Sequence, residues 1–209
     1  MTSTHHPVFA RVYARLAKAD LARGGAEHRV ELLEGLAGRV IEVGCGHGPN
    51  FAFYPSAVSE LVAVEPEPYL WAKAMKAAER APLNATVVEG TADRLPGAGY
   101  DAGVASLVLC SVPDQDEALA ELFRVIKPGG ELRYYEHVRA TDERLARIQR
   151  TLDRTIWPFV GGGCHCSRDT AAAIERAGFV LDRHQSFMFT TCPLDRMVAP
   201  HILGRALRP

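Results

Sequence analysis

Gly44, Gly46 and Gly48 stand at alternate positions directly after the apolar run Arg39-Val40-Ile41-Glu42-Val43, with the acid Glu42 just ahead of the first glycine. Glycines two apart at a strand end let the backbone turn tightly and approach a bound molecule with no Cβ in the way. Such a turn suits a nucleotide-like ligand; the plainer alternative is a Gly-rich turn that binds nothing. A second acid, Glu65, closes the next apolar run, Leu61-Val62-Ala63-Val64. A carboxylate there can accept from both hydroxyls of a ribose, or it is simply a solvated acid at a strand end. Spacing then separates the ligand classes. A dinucleotide fold wants G-x-G-x-x-G, and here Pro49 occupies the place of the third glycine. A nucleoside without a pyrophosphate fits the pattern better than a hydride-carrying dinucleotide.

Other residues could do chemistry further along. His137, at the end of a fifth apolar run, is the candidate general base, with a hydrogen-bonding role in loop structure as the alternative. Cys164-His165-Cys166 invites a zinc reading, with Cys192 or His184 as a fourth ligand. Tetrahedral sites usually show C-x-x-C pairs, so no metal is expected. Cys45 and Cys110 read as small hydrophobes beside the ligand.

The elements that must position these residues alternate strand with helix. Five apolar runs, 39–43, 61–65, 85–90, 100–109 and 131–138, read as strands, separated by helices over 67–81 and 114–126 and a short helical stretch at 51–55. Asp114 with Glu117 resembles a capping box, and Lys127-Pro128-Gly129-Gly130 stops the helix it starts. Successive βαβ units imply α/β architecture, a doubly wound Rossmann-like sheet with helices on both faces and ligands beyond the carboxyl ends of the strands. Glu42 to Gly48, Glu65, Thr91 to Asp93, Ser106 to Cys110 and Glu136-His137 all fall at those ends. Residues 1–38 read as an N-terminal helical lid, two helices broken at Gly24-Gly25 with Val8, Val12, Leu16, Val30, Leu33 and Leu36 as apolar positions. Residues 39–209 read as the ligand-binding domain, with a helical insertion at about 140–166 whose apolar side carries Leu145, Ile148, Leu152, Ile156 and Trp157. Ser167 is expected to cap a helix through Ala177, and the closing segments 179–189 and 201–207 to pair as strands around a loop at 192–200 on the acceptor side.

The 209 residues fit one domain, and 47% apolar with 23% charged content excludes disorder and fibres. A formal net charge of -1 predicts no field for gathering nucleic acid. The polar start from Met1 to Pro7 carries no apolar signal core, and no run of about 18 apolar residues offers a membrane span. Five cysteines without framework spacing suit a reducing compartment, so a cytoplasmic protein is expected.

The E-x-G-x-G-x-G turn resembles motif I of class I S-adenosylmethionine-dependent methyltransferases, and several longer segments resemble the alkyl-thiol S-methyltransferase group. These are Ile41 to Gly46 with Asn50 to Pro55, Leu107 to Val112, Arg124 to Gly130, Glu136-His137-Val138, Leu152-Asp153 with Trp157, Gly163-Cys164 with Ser167-Arg168-Asp169, and Pro200-His201-Ile202. The resemblance spans roughly Arg39 to Ala206 and implies a seven-stranded sheet with its last strands antiparallel. It implies S-adenosyl-L-methionine as cofactor, with Glu42, Gly44, Cys45, Gly46, Asn50, Glu65, Pro66, Thr91, Ala92, Asp93, Ser106 and Leu107 around it. Methyltransferases of this class often place Gly-Asp-Ala-Glu after the third strand, where this chain has Gly90-Thr91-Ala92-Asp93. Transfer to a small-molecule acceptor is implied, a thiol in the narrower group, with Tyr13, Cys110, Trp157 and Cys164 lining its site and His137 catalytic. An O- or N-methyltransferase of a small metabolite or lipid headgroup is the alternative within enzymes, and a non-catalytic binder of the same cofactor is the alternative outside them.

Overall fold

The computed structural model describes residues 7–190 and 196–209; the side chains of Val8 and Leu16 and residues 192–195 of the loop expected at 192–200, Cys192 included, lie outside the described residues. Seven strands, β1 (Gly38–Val43), β2 (Val58–Glu65), β3 (Ala85–Glu89), β4 (Tyr100–Ser106), β5 (Ile126–His137), β6 (Val180–Met188) and β7 (Pro200–Leu207), form one sheet in the order β3-β2-β1-β4-β5-β7-β6. The first five are parallel, and β7 pairs antiparallel with both β5 and β6. The expected Rossmann-like sheet with antiparallel closing strands is therefore the observed one. Strand order reverses between β1 and β4, so their carboxyl ends frame the crevice where such sheets hold ligands.

The sheet is buried on both faces because its strands are apolar in nearly every position, and the pleat deals alternate residues to the two sides. Ile41, Val43, Val62 and Ala105 join the core beneath α4 (Gln115–Val125) and α7 (Thr170–Arg176). Val40, Ala63, Val104 and Tyr135 join the core beneath α2 (Ala26–Leu33) and α3 (Pro68–Ala78). Among the described residues no helix is long and apolar enough to cross a membrane.

Several local expectations change. The stretch 51–55 forms turns, with Phe53 donating to Asn50 O at 2.9 Å, because Pro55 leaves no room for a helix to propagate. The fourth strand stops at Ser106 instead of running to Leu109, since Leu107 takes a left-handed φ of 57°. The break between the N-terminal helices is where the glycines placed it: α1 (Pro7–Asp20) runs through a π-helical turn into α2, kinked at Gly24 with φ 115°. Leu33 and Leu36 are covered as expected, but Val12 and Val30 are exposed, and Ala10, Ala14 and Leu32 are covered instead. Small residues let α1 lie close against Leu70 of α3. The insertion is helical as expected, α5 (Glu143–Asp153) followed by α6 (Trp157–Val160), but Ile148 and Ile156 are exposed and Ala146 and Gln149 are buried. Gln149 accepts from Ala140 N at 2.8 Å and donates to Met197 O at 2.9 Å, satisfying backbone groups that no ladder reaches. Asp169, not Ser167, caps α7; Ser167 instead donates to Asp153 at 2.5 Å.

Candidate functional site

The glycine turn is built by left-handed backbone at all three glycines, with φ of 61° at Gly44, 58° at Gly46 and 80° at Gly48. A Cβ on Gly44 would stand 2.2 Å from Val108, so only glycine lets the turn after β1 meet the turn after β4. Glu65, at the tip of β2, accepts from Gly46 N at 2.8 Å and from Glu67 N at 3.0 Å. Burial lifts its carboxyl above the ordinary range. Each carboxylate oxygen keeps a second lone pair, so two further hydroxyl donors can still be received.

Beneath the turn lies a buried polar chain. Glu42 accepts from Asn50 Nδ2 at 2.7 Å and from Tyr54 OH at 2.8 Å, and Arg29 of α2 donates to Asn50 Oδ1 at 2.7 Å and to Ser106 Oγ at 3.2 Å. Burial pushes the Glu42 carboxyl up to about 7 against the pull of these donors. Glu42 and Asn50 thus brace the turn from behind, and Ser106 ties β4 to α2. Above the turn, Tyr13 of α1 faces Gly46, where a Cβ would meet its ring at 3.4 Å, and stacks on Phe9, which covers Gly162 of the insertion. Pro66 follows Glu65 into the Glu67 cap of α3. Thr91 and Ala92 are half-buried, and Asp93 exposed, in the turn after β3, whose Glu89 pairs in register with Glu65. Cys45 is buried, its N–H donating to Val64 O at 3.0 Å.

The other wall is made by Glu136, fully buried near the end of β5. Its carboxylate receives the backbone N–H groups of Val108 at 2.9 Å, Leu109 at 2.8 Å and Cys110 at 3.2 Å. Those amides lose their strand partners at Leu107, and one carboxylate replaces them. The Arg168 guanidinium donates to Leu109 O at 2.5 Å and Val112 O at 2.8 Å, and His165 N to Cys110 O at 2.7 Å, which docks the insertion on the same turn. Asp153 holds the far end of the insertion loop through Cys166 N at 2.9 Å and Ser167 N at 2.8 Å. Cys166 therefore points at Asp153, and His184 at Tyr134 OH, so among the described residues Cys164, Cys166 and His184 are not assembled around one zinc.

What does assemble is Cys110, His137 and Cys164. His137 Nδ1 lies 3.7 Å from Cys110 Sγ and 4.0 Å from Cys164 Sγ. The hydrogen bond from Cys110 and the neighbouring His137 hold the Cys164 thiol well below the usual thiol range, while Cys110 is pushed well above it. The pair ionises first at Cys164. Trp157 flanks Cys164 from α6, and its indole N–H on the sulfur also favours the ionised thiol. His201 stacks edge-on against His137 at 4.6 Å, and burial together with His137 lowers it to about 3, leaving it neutral. A cavity of about 690 Å³ lined by Glu31, Arg133, His184 and Arg205 lies toward the other half of β5 and takes no part in this site.

Known proteins share this plan. Residues 41–134 match the family described as Methyltransferase domain. A thiol S-methyltransferase of Mus musculus is 35% identical over 189 residues, covering 86% of this chain and 75% of its own. One of Homo sapiens is 33% identical over 175 residues, 81% of this chain and 70% of its own. The chain belongs to the S-adenosylmethionine-dependent methyltransferases. A solved SAM-dependent methyltransferase of Thermotoga maritima superposes with a TM-score of 0.68 at 21% identity, covering 97% of this chain and 98% of that one, a likeness of fold.

The methyltransferase has a cradle that fits its cofactor. Three left-handed glycines keep the turn clear of side chains, and Glu65 stands beside it with acceptor capacity for a ribose. Of the residues assigned from sequence, Gly44, Cys45, Gly46, Glu65, Pro66, Ser106 and Leu107 converge on the crevice, with Tyr13 above it. Cys110, Trp157, Cys164 and His137 converge on its other side. The sequence reading did not assign Arg29, Tyr54, Asp153 or the amide-holding role of Glu136. Glu136 was visible as an acid beside His137 at a strand tip, but its partners are decided by how the chain turns after β4.

Proposed function

We propose that this methyltransferase transfers the methyl group of S-adenosyl-L-methionine to the sulfur of a small, fairly apolar thiol. The observation that carries the reading is the grouping of Cys110, His137, Cys164 and Trp157 at the turn after β4, whose Val108 packs on Gly44, in a chain at least 30% identical to thiol S-methyltransferases over most of its length. Bound in the cradle, the cofactor supplies an electrophilic methyl group on a sulfonium. Glu65 and the turn Gly44 to Gly48 bind and orient its nucleoside end, with Glu42, Asn50 and Arg29 holding the turn and Thr91, Ala92 and Asp93 at the base side. Tyr13 and Trp157 shut out water, which favours a step that neutralises charge. Holding the acceptor sulfur about 3 Å from the methyl carbon converts a bimolecular displacement into a positioned one. His137 takes the acceptor's proton in this reading.

In this reading residues 1–38 act as a lid and the insertion at about 140–166 as the acceptor-side wall of the domain 39–209. The buried, unpaired thiols at Cys45, Cys110, Cys164 and Cys166 suit a reducing, cytoplasmic setting. Incubating pure protein with labelled cofactor and a panel of thiols, phenols and amines tests the acceptor. Methylated thioether is expected; turnover of a phenol or amine with every thiol inert would overturn the thiol while leaving the cofactor in place.

A further inference from the structure

Three segments remote in sequence deliver soft ligands to one point. Cys110 comes from the turn after β4, His137 from the end of β5, and Cys164 from the insertion loop. Their ligand atoms all lie within 4.8 Å of one another, with the sulfur-to-nitrogen separations at 3.7 and 4.0 Å. Tetrahedral zinc, with Zn–S of about 2.3 Å and Zn–N of about 2.0 Å, sets its ligand atoms about 3.5 Å apart. Closing on an ion therefore needs the sulfur-to-nitrogen separations to shorten by only a few tenths of an ångström and the two sulfurs, within 4.8 Å of each other, to come to about 3.8 Å.

The arrangement is built rather than incidental. Cys110 is positioned by Glu136 through its N–H and by His165 through its carbonyl. Cys164 is brought in by Gly163, whose φ of 88° disfavours a side chain and where a Cβ would stand 2.9 Å from Ser111 O. Asp153 clamps the residues just beyond. Thiolate and imidazole ligands select zinc-like ions over magnesium or calcium, and two cysteines with one histidine leave a fourth position for a substrate.

We propose that Cys110, His137 and Cys164 bind a soft divalent metal ion of the zinc class, its fourth position open to the sulfur of the acceptor thiol. The inference deepens the thiol-methyltransferase reading and rests on it for the fourth ligand alone. In the metal-loaded protein His137 Nδ1 is a ligand, and the acceptor's proton leaves to water as its S–H bond breaks and a sulfur–metal bond forms. The metal-held sulfur then takes the methyl group with its own electron pair. The pair of the broken C–S bond stays with the cofactor's sulfur, which departs as a thioether. The methylated product is a neutral thioether, a weaker ligand, and is released.

Titrating the reduced protein with Co²⁺ reads the site without turnover. One equivalent should give tetrahedral d–d absorption with a thiolate-to-cobalt charge-transfer band, displaced by Zn²⁺. Cys110→Ser and Cys164→Ser should each lose most of that band, while Cys166→Ser, whose sulfur faces Asp153, should keep it. No band in the wild-type protein, or a band of full intensity in the Cys110→Ser/Cys164→Ser variant, would overturn the site. Alkylation of the wild-type protein mapped by mass spectrometry avoids any question of misfolded variants: Zn²⁺ should slow modification of Cys110 and Cys164 but not of Cys166. Equal labelling with and without Zn²⁺ would overturn it as well. Adding a simple alkanethiol to the Co²⁺ protein should shift the charge-transfer band; an unmoved spectrum at saturating thiol would overturn the open fourth position. If every thiol proves inert in the acceptor panel, the metal result still stands or falls on these spectra alone.

Discussion

Glu65 accepts the backbone N–H of Gly46 at 2.8 Å, so the acid at the tip of β2 and the middle glycine of the turn after β1 form one unit. A ligand seated on the turn meets both. Removing either partner has separable consequences.

Glu65→Ala should weaken binding of S-adenosylhomocysteine by about ten- to hundred-fold, the loss of charge-assisted hydrogen bonds on the order of 1.5 to 3 kcal/mol. Calorimetry checks it, and unchanged affinity would take Glu65 out of the site.

Gly46→Val puts a branched side chain at φ 58° and within 3.4 Å of Tyr13. Left-handed backbone at such a residue costs about 1 to 3 kcal/mol, a loss a folded domain can absorb, whereas the side chain intrudes on the ligand's approach. Circular dichroism should show a folded protein and calorimetry no cofactor binding. Wild-type affinity in this variant would make the turn structural only.

Glu42 titrates at about 7 in the folded protein, raised by burial, against an ordinary carboxyl of about 4.5. Between those values the native state holds a proton that the unfolded chain has released, so stability falls as pH rises through this window. The total change is on the order of 3 kcal/mol. Glu42→Gln cannot titrate, so urea midpoints measured from pH 5 to 8 should decline less steeply in the variant. Parallel slopes would show that Glu42 stays ionised when buried.

In the metal-free protein, where His137 is the base, His137→Ala should lower methyl transfer to a protonated thiol by about 10² to 10⁴. The deficit should shrink as pH rises through the acceptor's own ionisation, because a pre-formed thiolate has no proton to lose. Steady-state rates across pH with two thiols of different acidity check this. A rate indifferent to the replacement at every pH would leave positioning and exclusion of water as the whole mechanism.

Residue types and spacing alone determined the sheet, its parallel core and the location of the ligand turn, because these follow from local facts. Apolar runs of strand length, helix stops such as Lys127-Pro128-Gly129-Gly130, and glycines where no Cβ fits are properties of adjacent residues. The burial of α1 on alanines instead of Val12, and of α5 on Ala146 and Gln149 instead of Ile148, was not legible, since a helix carrying several apolar stripes is oriented by what it packs against. The end of β4 at Ser106 depended on Glu136, an acceptor 30 residues away in sequence from the strand it terminates. The cysteine grouping depended on distance most of all. By sequence Cys164 neighbours Cys166, and only the fold turns Cys166 toward Asp153 and sets Cys164 beside Cys110 and His137. Side chains far apart along the chain meet through the packing of β4, β5 and the insertion, and that packing is a property of the whole core rather than of any stretch of residues.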